Sequence, residues 1–165
     1  MSDRRLILAR HGMSPLIGSS DRTRPLSDDG RLEAELLGQQ LLELGWWPQI
    51  ALVSDAQRTQ ETWETLLDAS GASIDEVAIL PDLYQASPER ILAILEDVLG
   101  QQQTALVLAH NPGISEAASW ASGIRIGMGT GNAALLHHPT MTDWTAVATT
   151  GGNWRLVDFL RPVPR

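Results

Sequence analysis

Arg5-Leu6-Ile7-Leu8-Ala9-Arg10-His11-Gly12 is the stretch from which the fold of this chain is read. Its apolar residues do not alternate with polar ones. A short unbroken apolar run is a strand buried on both faces, as in a parallel sheet covered by helices. The run stops abruptly at an arginine, a histidine and a glycine, so charged side chains stand at the strand's carboxyl end. Working outward, the same unit recurs. Residues 50–53 read as a second buried strand, residues 77–80 as a third strand broken by Pro81, and residues 104–109 as a fourth. Ser27 is placed to cap a helix, with Asp28 and Asp29 at the positive end of its dipole. Leu32, Leu36, Leu37, Leu41 and Leu44 follow at helical spacing, and Gly45 stops the helix. Residues 57–69, closed by Gly71, and residues 88–99 read as two more helices. A fourth has Pro112 at its first position. After Gly127 the pattern changes: residues 133–137 and 154–160 read as strands, with an irregular or briefly helical stretch at 142–147 between them. The fold expected is α/β, a three-layer α/β/α arrangement. It has a mostly parallel sheet of about six strands, helices on both faces and one antiparallel edge strand. It forms one domain over residues 1–165.

Composition narrows the function. Cysteine is absent, which excludes disulfides, thiolate metal sites and cysteine nucleophiles. A net charge of −8 argues against nucleic acid and against anionic membrane surfaces as partners. No stretch reads as a targeting segment or is long enough to span a bilayer, so a cytoplasmic location is expected. All 12 basic residues are arginine, the side chain suited to a bidentate grip on phosphate, although codon bias accounts for most of that count.

Ligands of open α/β sheets bind beyond the carboxyl ends of the strands. Arg10-His11-Gly12 follows the first strand, Ser54-Asp55-Ala56-Gln57-Arg58 the second, Pro81-Asp82 the third, and His110-Asn111-Pro112-Gly113 the fourth. Two arginines, two histidines and a carboxylate thus converge on one edge. That set suits phosphoryl transfer, which asks for a nucleophile, positioning and charge stabilisation. A neutral imidazole is a competent nucleophile near neutral pH, and Gly12 is read as letting the backbone approach the ligand closely.

Leu6-Ile7-Leu8-Ala9-Arg10-His11-Gly12 resembles the signature of the histidine phosphatase superfamily, which also contains the cofactor-dependent phosphoglycerate mutases. The stretch Arg24-Pro25-Leu26-Ser27 with Gly30 is similar to the segment before that family's first helix. Residues 54–62 resemble its second motif and Ala109-His110-Asn111-Pro112 its third. Trp154-Arg155-Leu156, running on to Phe159 and Pro162, resembles the closing strand of the short SixA-type phosphohistidine phosphatases. The resemblance implies His11 as phosphoryl acceptor, with Arg10, Arg58 and His110 on the phosphoryl oxygens and no metal or cofactor. The proton donor, usually a glutamate, is matched here by the shorter Asp82, with Glu89 or a water as the next candidates. Ser14 and Arg24 are candidates for the rim. The larger members carry a helical insertion over the site. Residues 81–101 here hold one helix, so a shallow, open site is expected, suited to a phosphohistidine displayed on another protein.

Other readings stand beside this one. The substrate could be a small phosphorylated metabolite, hydrolysed or rearranged by a mutase. The chain could also be a phosphate- or phosphoprotein-binding module without turnover, given the imperfect acid. His137 and His138 are adjacent, so a strand points them to opposite faces, and both are read as structural. Gly127-Met128-Gly129-Thr130-Gly131 precedes a strand and opens no helix, which rules out a dinucleotide loop. The six tryptophans are read as packing residues.

Overall fold

The computed structural model describes residues 3–163; residues 1–2 and 164–165, the ends of the expected 1–165 domain, lie outside the described residues. The elements run β1 (Arg4–Arg10), α1 (Asp28–Glu43), β2 (Ile50–Ser54), α2 (Gln57–Ser70), β3 (Glu76–Leu80), α3 (Pro88–Val98), β4 (Thr104–Ala109), α4 (Gly113–Ser122), β5 (Ala133–His138) and β6 (Arg155–Leu160). Short 3-10 turns cover Asp21–Thr23, Pro81–Leu83 and Trp144–Thr149. The strands form one sheet in the order β3-β2-β4-β1-β5-β6.

β3, β2, β4 and β1 are mutually parallel, whereas β5 runs antiparallel to both β1 and β6. The expected antiparallel strand is therefore present but stands one place in from the edge, and β6 takes the edge. Burial explains the order. The first four residues of β5 are all buried and need cover on both sides, while β6 is mostly exposed or half-exposed and tolerates an open flank. The same logic holds at the opposite edge, which is β3, with Val77 and Ile79 each 42% exposed.

The unbroken apolar strands divide their side chains between two cores. Leu6 and Leu8 of β1 pack with Ile91, Leu95 and Ile114 on the α3/α4 face. Ile7 and Ala9 pack with Leu37, Leu41, Trp63 and Leu66 on the α1/α2 face. Such packing on both faces is why no polar alternation survives in the sequence. In α1, Leu37 and Leu41 are buried but Leu32 and Leu44 are exposed, so the apolar stripe is narrower than its leucines imply; Ala34 and Gly38 complete it. Ser27 caps α1 by accepting from the Gly30 N–H at 3.0 Å. Gly71 closes α2 with φ 69°, in the left-handed region. Pro112 occupies the cap of α4, one place before its first residue. His137 pairs with Asp3 at 3.1 Å, and the His138 ring meets Trp154 edge-on, so both histidines lie in structural contacts.

Candidate active site

The parallel order β2-β4-β1 sets the carboxyl ends of three adjacent strands side by side, and these ends deliver Arg58, His110 and His11 to one place. Their side chains are nearly buried, at 4%, 4% and 6% exposure. Arg58 Nε donates to His11 Nε2 at 3.3 Å, and Arg58 Nη2 lies 3.4 Å from His110 Nδ1. The two imidazole rings are 5.3 Å apart.

Each ring is oriented from behind. His11 Nδ1 lies 2.7 Å from the Gly12 carbonyl, an acceptor only, so Nδ1 carries the proton and Nε2 presents its lone pair to the site. His110 Nε2 lies 2.7 Å from the hydroxyl of Ser54, which is fully buried at the end of β2. Burial pushes the His11 pKa down to about 4, and the guanidiniums of Arg58, Arg10 and Arg24 add to the effect. Burial, then the His11 and Arg58 charges, push His110 down to about 3. Both rings are neutral at pH 7, the state a nucleophilic imidazole requires.

Arg10, at the end of β1, directs Nη1 to the Met128 carbonyl at 3.1 Å, which also accepts from Asn111 Nδ2 at 2.8 Å. Its Nε is buried without a hydrogen-bond partner among the described residues. Gly12 is tightly packed. A Cβ there would stand 2.6 Å from the Gly30 carbonyl and 3.0 Å from Leu26, so the missing side chain admits the start of α1. Its N–H donates to Thr62 Oγ1 at 3.0 Å, which ties the His11 loop to α2.

The remaining expected residues divide. Asp82 lies in the turn after β3, exposed, and makes no hydrogen bond or ion pair with any described residue. Glu89 is exposed in the first turn of α3. Neither is held in the cluster. The Ser14 hydroxyl donates to the Pro25 carbonyl at 2.6 Å, a loop contact of the kind expected of a turn serine. Arg24 bonds the Pro15 and Ser14 carbonyls at 3.1 and 3.0 Å and the Asp21 carboxylate at 3.0 Å, so it braces the loop before α1.

Three residues emerge that the sequence reading did not single out. Asp21, in a turn following β1, takes Arg58 Nη1 on its carbonyl at 2.7 Å and Arg58 Nη2 on its carboxylate at 3.1 Å. Tyr84 donates its hydroxyl to the same carboxylate, meets the His110 ring edge-on at 5.4 Å, and is covered by the Arg22 guanidinium at 4.2 Å. The third is Ser54. The turn carrying Asp21 therefore covers one side of a site expected to be open, although residues 81–101 hold only a 3-10 turn and α3, as read. No group of three or more His, Asp or Glu side chains among the described residues is arranged to hold a metal ion.

Comparison with known proteins agrees with this geometry. Residues 6–87 match the histidine phosphatase superfamily (branch 1). An uncharacterized chloroplastic protein of Arabidopsis thaliana is 35% identical over 170 residues, covering 96% of this chain and 78% of that one. The chain belongs to the histidine phosphatase superfamily, in its SixA-type branch, and is a phosphatase. The structure assigned as phosphohistidine phosphatase SixA from Nakamurella multipartitia superposes with a TM-score of 0.81 at 27% identity, covering 99% of both chains. A protein histidine phosphatase SixA complexed with tungstate shares the fold, with a TM-score of 0.79 at 22% identity over 96% of this chain and 97% of that one. A shorter match, 44% identical over 68 residues, is to the mitochondrial serine/threonine-protein phosphatase Pgam5 of Drosophila virilis; it covers 41% of this chain and 23% of that one. Among the described residues no helix is long and apolar enough to cross a membrane.

Proposed function

We propose that the protein hydrolyses phosphohistidine carried on another protein, through a phosphoryl group held transiently on His11. The observation that carries this is the state of His11: a neutral ring, its Nδ1 proton fixed on the Gly12 carbonyl, with Nε2 turned toward the Arg58 guanidinium. In the first step His11 Nε2 forms a bond to phosphorus while the P–N bond to the substrate ring breaks; that ring carries a proton on its other nitrogen, so it takes the electron pair and leaves as a neutral imidazole. In the second, water attacks phosphorus, the P–Nε2 bond breaks, and inorganic phosphate and free His11 result. Arg58, Arg10 and His110 hold the phosphoryl oxygens through both steps. Arg10 Nε supports that role, because a phosphoryl oxygen would supply the acceptor this buried N–H lacks.

The groups that could give a proton support this choice of substrate class. An alkoxide leaving group needs a positioned acid. The carboxylate bonded to Arg58 is Asp21, kept well below the usual carboxylate range by the Tyr84 hydroxyl and then by Arg24 and Arg58, so it is ionised and carries no proton to give. An imidazole leaving group needs that help least. The likeness to the assigned phosphohistidine phosphatase over nearly the whole of both chains supports the same choice. So does an open groove of about 500 Å³ that begins at Asn111, next to His110, and passes Ser115, Glu116 and Arg125, room for the polypeptide around a phosphohistidine.

The test is phosphate release, in chelator, from a phosphohistidine protein and from a generic phosphomonoester, by wild type and His11→Ala. The expected result is faster turnover of phosphohistidine by wild type and none by the variant. Equal rates for the two proteins would remove His11 from the mechanism. Preference for a metabolite in a panel of phosphorylated compounds would move the assignment to a small-molecule phosphatase.

A further inference from the structure

Arg58 is buried, yet every nitrogen of its guanidinium already has a partner before any phosphate arrives. Nε meets His11, Nη1 meets the Asp21 carbonyl, and Nη2 meets both the Asp21 carboxylate and His110. A buried cation needs a counter-charge, and Asp21 supplies it. Its carboxylate collects three donors: Arg24 Nη1 on one oxygen, and Arg58 Nη2 and the Tyr84 hydroxyl on the other. A phosphoryl group would recruit donors of the same kind. The turn bearing Asp21 is also pinned, because Arg24 is fastened to the carbonyls of Ser14 and Pro15 and Arg22 pairs with Asp55 at 3.1 Å. These contacts hold Asp21 at the guanidinium.

We infer that Asp21 is a resident counter-anion of the phosphate pocket: it holds Arg58 in register while the site is empty, and its charge opposes the phosphoryl group once that group is bound. The consequence falls on product release. At the end of the second step the pocket holds inorganic phosphate among Arg10, Arg58 and two histidines, a setting that binds anions tightly. One fixed negative charge on the same guanidinium weakens that grip and lets phosphate leave. The inference rests on the phosphoryl pocket proposed above, and it assigns Asp21 a positioning role that tunes affinity and leaves the chemical step to His11.

Two roles for Asp21 predict opposite signs, which makes the test decisive. If it served only to orient Arg58, replacing it would loosen anion binding. If it opposes the bound anion, replacing its charge tightens binding. Inorganic phosphate is titrated calorimetrically into wild type, Asp21→Asn and Arg58→Ala, and also measured as an inhibitor of turnover. Asparagine keeps the backbone carbonyl for Arg58 Nη1 and one accepting side-chain oxygen, while it removes the charge and the second acceptor. The expected result is phosphate binding about tenfold tighter in Asp21→Asn, the effect of one partly exposed charge a few ångströms away. The gap should persist from pH 8 to pH 5, since Asp21 stays ionised throughout. Unchanged or weaker binding in Asp21→Asn, with binding lost in Arg58→Ala, overturns the role of Asp21 and leaves the pocket standing. Binding unchanged in Arg58→Ala overturns the pocket and the role of Asp21 with it; Arg10→Gln serves as the second pocket probe if Arg58→Ala does not fold.

Discussion

Ser54→Ala isolates the support behind His110. The Ser54 hydroxyl lies 2.7 Å from His110 Nε2, with Ser54 at 0% and His110 at 4% exposure. A hydroxyl can donate or accept, so this contact serves either tautomer of the ring. In the free site Arg58 Nη2 faces Nδ1, which places the proton on Nε2 with Ser54 as acceptor. With a phosphoryl oxygen bound, the proton is wanted on Nδ1, and Ser54 then donates to Nε2. Alanine removes both options and leaves a buried ring nitrogen without a partner, at a cost of about 1–3 kcal/mol in stability. Losing an oriented donor outright costs ~10²–10³-fold in rate. Here Arg58 and the edge of Tyr84 still confine the ring, so the expected loss is smaller, roughly tenfold in kcat with little change in the KM for phosphohistidine protein. Denaturant melts and steady-state rates measure the two parts, and nitrogen NMR of labelled histidine reads the tautomer. A variant with wild-type rate and an unchanged His110 tautomer would refute the reasoning.

Other perturbations follow from the same geometry. Asp82→Asn should leave phosphohistidine hydrolysis within about twofold, because the group is exposed and unpartnered; a loss near the ~10²–10⁴-fold scale of a general acid, seen in parallel assays on alkyl phosphate, would place Asp82 in the mechanism after all. His11 and His110 have folded pKa values of about 4 and 3, below the ordinary 6.5, so the unfolded chain binds more protons between those limits. Their stabilisation is complete above pH ~6.5 and is lost progressively as pH falls through 6.5, toward about 4 for His11 and about 3 for His110. Melting temperature against pH should show that decline, and His11→Asn should shallow it; a flat profile from pH 7 to pH 4 contradicts the burial argument. Gly12→Ala forces a Cβ to within 2.6 Å of the Gly30 carbonyl and should cost about 1–3 kcal/mol, read by thermal or denaturant melts, where wild-type stability would contradict the packing.

The sequence exposed the parts of this molecule that are local. Unbroken apolar runs marked β2 and β4, with β4 placed to the residue, because strands buried on both faces carry no competing polar pattern. The same kind of run, Val-Ala-Ile-Leu in β3, sits at an edge of the sheet, so the run alone does not give strand order, which is a property of the whole sheet. Arg10, His11, Arg58 and His110 were legible because each follows directly on a strand end or the motif beside one. Asp21, Tyr84 and Ser54 were not, since their meaning lies in contacts made across the chain. Asp21 meets Tyr84 63 positions away, and Ser54 meets His110 56 positions away. An aspartate in a loop of glycine and serine carries no local sign of a buried arginine. Asp82 is a carboxylate at the expected strand end, on a turn that directs Leu83 into the core and leaves Asp82 in solvent.

The central claim is that the phosphoryl group rests on His11 at Nε2. Phosphohistidine protein labelled in its phosphoryl group is mixed with excess enzyme, quenched in base within milliseconds, and the enzyme is digested and mapped by mass spectrometry. The account predicts a base-stable, acid-labile label on the peptide containing His11, at Nε2 because Nδ1 is committed to the Gly12 carbonyl, and no label on His11→Ala. Label at His110 or any other residue, or phosphate release by wild type with no labelled enzyme at any time, would contradict it.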